Sequence, residues 1–253
     1  MTGACPPRGW TRMEIARLAA NDLPDRSYVN LGLGIPELVA GVVPIDRRVV
    51  FHSEIGVLGF GSAPAPGRED PDLVCAGMLP VTAMPGACFL DQAESFAIAR
   101  GGHIDLCLLG AMQVSERGDI ANWLARGPEA VPAVGGAMDF VVGARRIWVL
   151  CEHSTRTGAP KLVGSCTLPL TGSRVVRRIY TNLAVVDLDD DGFLVRALAP
   201  GFSIEEVRRW TGAPLRDGRQ QPAGAVEATP HPGCDRPAAA TWEFPVQDRS
   251  TLP

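Results

Sequence analysis

Val49-Val-Phe-His-Ser-Glu-Ile-Gly-Val-Leu-Gly-Phe-Gly-Ser62 carries a single carboxylate, Glu54, from an apolar, strand-like run into a glycine-rich turn. Val49, Val50 and Phe51 read as a buried strand, and Gly56, Gly59 and Gly61 follow the acid with apolar residues between them. Ligands of open α/β sheets bind just beyond the carboxyl ends of the strands. An acid at that position is placed for chemistry. Burial away from other charges removes its water shell and makes it a better nucleophile or base. A structural role stands beside this one, since a carboxylate can also accept backbone N–H bonds within such a turn.

The flanking sequence gives the acid a setting. Thr11-Arg-Met-Glu14 is a capping box, in which the Thr hydroxyl and the Glu carboxylate satisfy each other's backbone N–H groups; it predicts a helix to about Leu23. Tyr28 to Leu31 reads as a short buried strand, followed by Gly32-Leu-Gly34-Ile-Pro36 and a helix over 36–43. Strand, glycine turn and proline at the first helical position aim helix N–H groups at an anionic ligand. The third glycine of a dinucleotide fingerprint is missing. Arg47 to His52 is the strand that delivers Glu54, and the loop 62–72, rich in proline and charge, covers the turn.

Further on, Val81 to Met84 suggests a short strand, and Asp91 with Glu94 caps a helix through Arg100. His103 to Gly110 is an almost unbroken apolar run, as expected of a central parallel strand buried on both faces. The stretch from Gln113 to Gly135 reads as irregular, and a short helix over 135–143 precedes another buried strand from Arg146 to Glu152. Val175–Tyr180 and Leu183–Leu188 are strands, the second forming a hairpin with Phe193–Leu198 across Asp189-Asp-Asp-Gly192. Ser203 and Glu206 open the last helix with a second capping box. The pattern predicts an α/β fold: a mostly parallel sheet with flanking helices and an antiparallel hairpin near the C-terminus. Residues 1–215 form the domain. Residues 216–253, with six prolines, six alanines and no apolar periodicity, read as a disordered tail.

Composition narrows the function classes. A chain of 253 residues, 46% hydrophobic and 21% charged, has ample core for one large domain. A net charge of -4 without a Lys/Arg run argues against nucleic acid as a partner. No apolar segment reaches the ~20 residues that span a bilayer, and the N-terminus lacks the apolar stretch of a signal peptide. Seven scattered cysteines without C-x-x-C spacing read as buried free thiols in a reducing compartment, so the expected location is cytoplasmic. No metal-ligand cluster is present in the sequence. Of four isolated histidines, only His52 and His153 stand near a candidate site, and a structural role fits both.

Ser53-Glu-Ile-Gly-Val-Leu-Gly59 resembles the Ser-Glu-Asn-Gly-x-Leu-Gly signature of family I coenzyme A transferases, on the half that carries the catalytic glutamate. The likeness runs over about residues 11–215. It takes in Tyr28–Pro36, Arg100-Gly-Gly-His103, Gly118–Trp123, Gly135-Gly-Ala-Met-Asp139, Glu152-His153, Gly158–Lys161, Cys166–Gly172 and Leu198–Gly201. The beta subunit of the 3-oxoacid or 3-oxoadipate type is most similar, and the 62–67 loop with Asn122-Trp123 leans toward 3-oxoadipate.

The resemblance implies that Glu54 is the nucleophile, that Asn30 contacts the reacting acyl group, and that Gly136 and Ala137 face the thioester. Gly32, Gly34 and Gly135 join them as substrate- or CoA-binding positions, and Ser53, Ile55, Gly56 and Gly59 line the site. It further implies coenzyme A as co-substrate and covalent intermediate with no permanent cofactor or metal. The expected partner is a CoA-transferase alpha subunit, in an α2β2 assembly acting on acyl-CoA and carboxylic acid substrates. One departure is clear: Ile55 stands where the family has Asn. The other readings are a hydrolase in which water takes the Glu54 intermediate, a scaffold subunit that kept the fold, and a sugar-phosphate isomerase of related fold. The last would need a basic cluster near the glycine turns, and the sequence shows none there.

Overall fold

The computed structural model describes residues 8–44, 46–125, 132 and 134–220. Among these, a ten-stranded sheet forms the body of the molecule. Its centre is five parallel strands in the order β10 (Val176–Thr181), β8 (Ile147–Cys151), β5 (Leu106–Leu109), β1 (Ser27–Leu31) and β2 (Val49–Ser53). The alternation predicted from sequence is thus present. β5 is buried at all four positions because its alternate side chains feed two different cores. Leu106 and Leu108 pack with Ile15, Ala16, Ala19 and Ala20 of helix α1 (Arg12–Asp22). Cys107 and Leu109 pack on the opposite face, with Ala99 of α2 (Gln92–Arg100) and Phe140 of α3 (Ala137–Gly143).

Antiparallel strands extend both margins. On one side lie β11 (Ala184–Asp189) and β12 (Gly192–Leu198), the hairpin expected across the Asp189–Gly192 turn, with Gly192 at φ 100°. β13 (Leu215–Asp217) pairs with β12 in parallel, so the ordered chain crosses the expected boundary at 215/216. The tail expected beyond it lies, from residue 221, outside the described residues. On the other side, β3 (Val57–Phe60) and β4 (Ala83–Phe89) follow the Glu54 turn. The sequence shows no sign of β3, because Gly56, Gly59 and Gly61 break its apolar run. Pairing with β2 and β4 makes it a strand regardless.

Local differences have local causes. The helix expected over 36–43 is a single 3-10 segment, Pro36–Gly41. The stretch read as irregular holds β6 (Gln113–Ser115) and β7 (Ile120–Ala121), which form a three-stranded sheet with β9 (Leu162–Val163). Both capping boxes are made, Thr11 with Glu14 and Ser203 with Glu206, the second opening α4 (Ile204–Arg209). Of the described cysteines, Cys75, Cys107 and Cys151 are buried free thiols, but Cys88 on β4 is exposed, contrary to expectation. No helix among the described residues is long and apolar enough to cross a membrane.

Candidate active site

The parallel register lines up a row of polar side chains. Asn30 of β1 stands between Cys107 of β5 and His52 of β2. All three point away from α1, since their neighbours Val29, Phe51 and Leu108 belong to the α1 core. Asn30, 2% exposed, donates from Nδ2 to Cys107 Sγ (3.3 Å) and accepts at Oδ1 from His52 Nδ1 (2.9 Å). His52 Nε2 in turn meets Ser95 Oγ of α2 at 3.0 Å. A buried row with every member partnered holds a fixed shape. Burial drops the His52 pKa to about 4, so the ring is neutral, and raises the Cys107 thiol to about 12.

Glu54, two residues after His52, returns to this same face of the sheet. Gly56 makes the turn possible: its φ is 105°, its N–H donates to Ser53 O (3.0 Å), and Leu90 N–H donates to Gly56 O (2.8 Å). Only glycine fits there, because a Cβ would run into the Leu90 carbonyl. The half-buried Glu54 carboxylate lies against the first residues of α3 and accepts the Gly136 N–H. Gly136 is likewise confined, as a Cβ would overlap the Glu54 carboxylate and the Phe96 ring. Burial raises the Glu54 pKa, the negative charge of Asp139 raises it further, and the Gly136 N–H works against both. A carboxylate so held is basic, partly dehydrated and next to a fixed N–H donor.

Sequence-derived positions divide into those the fold assembles and those it uses otherwise. Glu54, Gly136 and Ala137, the first residue of α3, come together. Asn30 lies beneath them, with both amide atoms engaged by protein. Gly32 and Gly34 offer no free N–H: the first donates to Leu108 O (2.8 Å) and the second to Glu37 Oε2 (2.7 Å). Gly135, at φ 51°, leads into Gly136, and Gly59, at φ 86°, packs its backbone against Ala87. Ser53 is fully buried, and its Oγ has no partner among the described residues. Ile55 is 39% exposed beside Glu54. His153 bonds Thr181 and Thr211 at 2.9 Å each and ties β8 and β10 to α4, a structural role.

One cluster escapes sequence reading. At the carboxyl ends of β1, β5 and β8 opens a cleft of about 860 Å³ whose lining includes Arg12, Gly34, Gly110, Glu152, Arg156 and Lys161. The basic residues missing from the sequence neighbourhood of the glycine turns therefore converge there from distant segments. Spacing along the chain carried no signal of it.

The sequence matches the Coenzyme A transferase family over residues 12–209. It is 48% identical over 210 residues to the B subunit of the 3-oxoadipate CoA-transferase of Acinetobacter baylyi, covering 83% of this chain and 97% of that protein. It is 44% identical over 203 residues to the succinyl-CoA:3-ketoacid coenzyme A transferase 2, mitochondrial, of Homo sapiens, covering 79% of this chain and 39% of that one. Among solved structures, an acyl-CoA transferase apoenzyme of Escherichia coli O157:H7 shares the fold with a TM-score of 0.64 at 18% identity, over 82% of this chain and 42% of that chain. The chain thus spans nearly all of the Acinetobacter relative and less than half of the two longer proteins.

Proposed function

This chain belongs to the coenzyme A transferase family, and we propose that it is the subunit that moves CoA from succinyl-CoA to a 3-oxo acid through a thioester on Glu54. The observation that carries this reading is the half-buried Glu54 carboxylate, raised in basicity, with the Gly136 N–H directed at it. The acceptor we infer is 3-oxoadipate, the acid named for the Acinetobacter relative, with acetoacetate as the alternative 3-oxo acid.

The residues suit the steps. A Glu54 oxygen attacks the thioester carbonyl, the carbon–sulfur bond breaks, and CoA leaves as thiolate. The thiolate then attacks the glutamyl carbonyl of the resulting mixed anhydride. The carbon–oxygen bond breaks, the donor acid departs as carboxylate, and CoA stays on Glu54 as a thioester. The acceptor carboxylate enters by the same steps in reverse, so atoms and charge balance without a net proton. The Gly136 N–H, already directed at the Glu54 carboxylate, suits the oxyanion that forms on the glutamyl carbonyl, and losing one such donor typically costs ~3 kcal/mol of transition-state stabilisation. Exclusion of water keeps the anhydride from hydrolysis.

We further propose that the site is completed by an alpha subunit in an α2β2 assembly in the cytoplasm, and that CoA binds only as co-substrate. Arg12, Arg156 and Lys161 in the neighbouring cleft give an acidic ligand a complementary surface. The domain we infer extends at least through β13, which pairs with β12. The test is a transfer assay on this chain purified with its alpha subunit. Succinyl-CoA with 3-oxoadipate should give 3-oxoadipyl-CoA with ping-pong kinetics, and Glu54→Gln should abolish it. Release of free CoA without any acceptor would favour the hydrolase reading instead.

A further inference from the structure

The polar row beneath Glu54 has a direction. Asn30 Oδ1 can only accept, so the proton shared across the 2.9 Å to His52 sits on His52 Nδ1. The His52 ring is fully buried and meets no carboxylate among the described residues, so it is neutral and its Nε2 carries a lone pair. Ser95 Oγ therefore donates to Nε2 at 3.0 Å. Its one proton is used there and not on Ser53 O, which lies 3.4 Å away. Hydroxyl donates to imidazole, imidazole to amide and amide to thiol, from Ser95 of α2 through His52 and Asn30 to Cys107 of β5.

The order decides what Asn30 can offer. Its Nδ2 carries two protons; one goes to Cys107 Sγ at 3.3 Å, and the other has no acceptor among the described residues. An amide that accepts at its oxygen is polarised, and its N–H donates more strongly. The row ends close to Glu54, whose charge helps to raise the Cys107 thiol. Turned over, the same amide would present an oxygen, which repels the negative charge that develops during attack. Cys107 does not discriminate between the two orientations, because a thiol both donates and accepts. His52 does, through its Nδ1–H. Its ring is held in turn by Phe140 of α3, the helix that begins beside Gly136, with centroids 5.8 Å apart and planes at 60°.

We propose that His52 and Ser95 are positioning residues for the transfer: the Ser95 hydroxyl sets the imidazole tautomer, the His52 Nδ1–H fixes the Asn30 amide, and the remaining Nδ2 N–H is left for the reacting acyl group. The inference rests on the transferase reading above. Its test is a double-mutant cycle on the complex with the alpha subunit, each variant checked for assembly and Tm. His52→Leu fills the space of the ring without donor or acceptor. It should lower kcat at least roughly tenfold, in the direction of a lost transition-state donor, with KM for succinyl-CoA little changed. His52→Gln can donate to Asn30 and accept from Ser95, and should recover most of that loss. Ser95→Ala leaves both tautomers open and should cost several-fold; it carries the same cycle if the leucine variant fails to assemble. In an Asn30→Ala background, with no amide to orient, either substitution should change kcat by less than about twofold. Equal losses with and without the Asn30 amide would reduce His52 and Ser95 to fold-holding residues and overturn the proposal. So would an unchanged kcat in His52→Leu, or an Asn30→Ala complex as active as its parent. Each of these outcomes leaves the transferase reading standing, whereas a parent complex that moves no CoA would remove that reading and this inference with it.

Discussion

Glu54 owes its chemistry to three neighbours: the dry face of the sheet beneath it, the Gly136 N–H on its carboxylate, and the charge of Asp139. The first and third raise its pKa above the ordinary 4.5, so activity should fall on acidification at a higher pH than an unperturbed glutamate would give. Asp139 accepts from Arg100 Nε at 2.6 Å. Asp139→Asn removes a negative charge and frees a positive one, and both changes lower the Glu54 pKa. The acid limb of the kcat/KM–pH profile should move to lower pH in that variant, and an unmoved limb would mean that Glu54 does not govern it. The acid itself was legible in the sequence, as a lone carboxylate at the end of an apolar strand. Its support was not. Cys107 and Ser95 stand 53 and 41 residues from Glu54 along the chain, and only the register of three strands brings Cys107, Asn30 and His52 into one row.

The elements obey local rules where local energy dominates. β5 and β8 were readable because strands buried on both faces leave no room for polar alternation, and α1 and α4 because their capping boxes are written in four residues each. β3 was unreadable, since its glycines serve the tertiary structure. Gly56 takes φ 105° with Leu90 O against its α-carbon, and Gly59 takes φ 86° with the Ala87 backbone beside it. Gly56→Ala should therefore destabilise the fold by at least ~1–3 kcal/mol through backbone strain alone. Urea unfolding should show it as a lowered midpoint, together with weaker activity because the same turn presents Glu54. A midpoint like that of the unaltered chain would show that the turn is not confined as described.

Across the whole molecule, two buried neutral histidines link stability to pH. His52 and His153 are each lowered by burial from 6.5 to about 4. Between those values the unfolded chain takes up protons that the native chain refuses, so stability is complete above about 6.5 and declines as pH falls toward 4. Each tenfold difference in proton affinity between the folded and unfolded chain corresponds to about 1.4 kcal/mol. Thermal melts should lose several degrees over that window, and His153→Gln should flatten part of the slope; a Tm independent of pH there would contradict the buried, uncharged assignment. At this scale the sequence conveyed the α/β class and the C-terminal hairpin. It did not convey the second antiparallel margin or the basic cleft, which arise from strand order and not from any contiguous pattern. The central claim, that Glu54 carries CoA, is tested most directly by intact mass. The complex with the alpha subunit is mixed with succinyl-CoA and quenched in acid. A gain equal to coenzyme A less one water, mapped to the Glu54 peptide and lost in Glu54→Gln, is the predicted result; an active complex that never gains that mass would contradict the account.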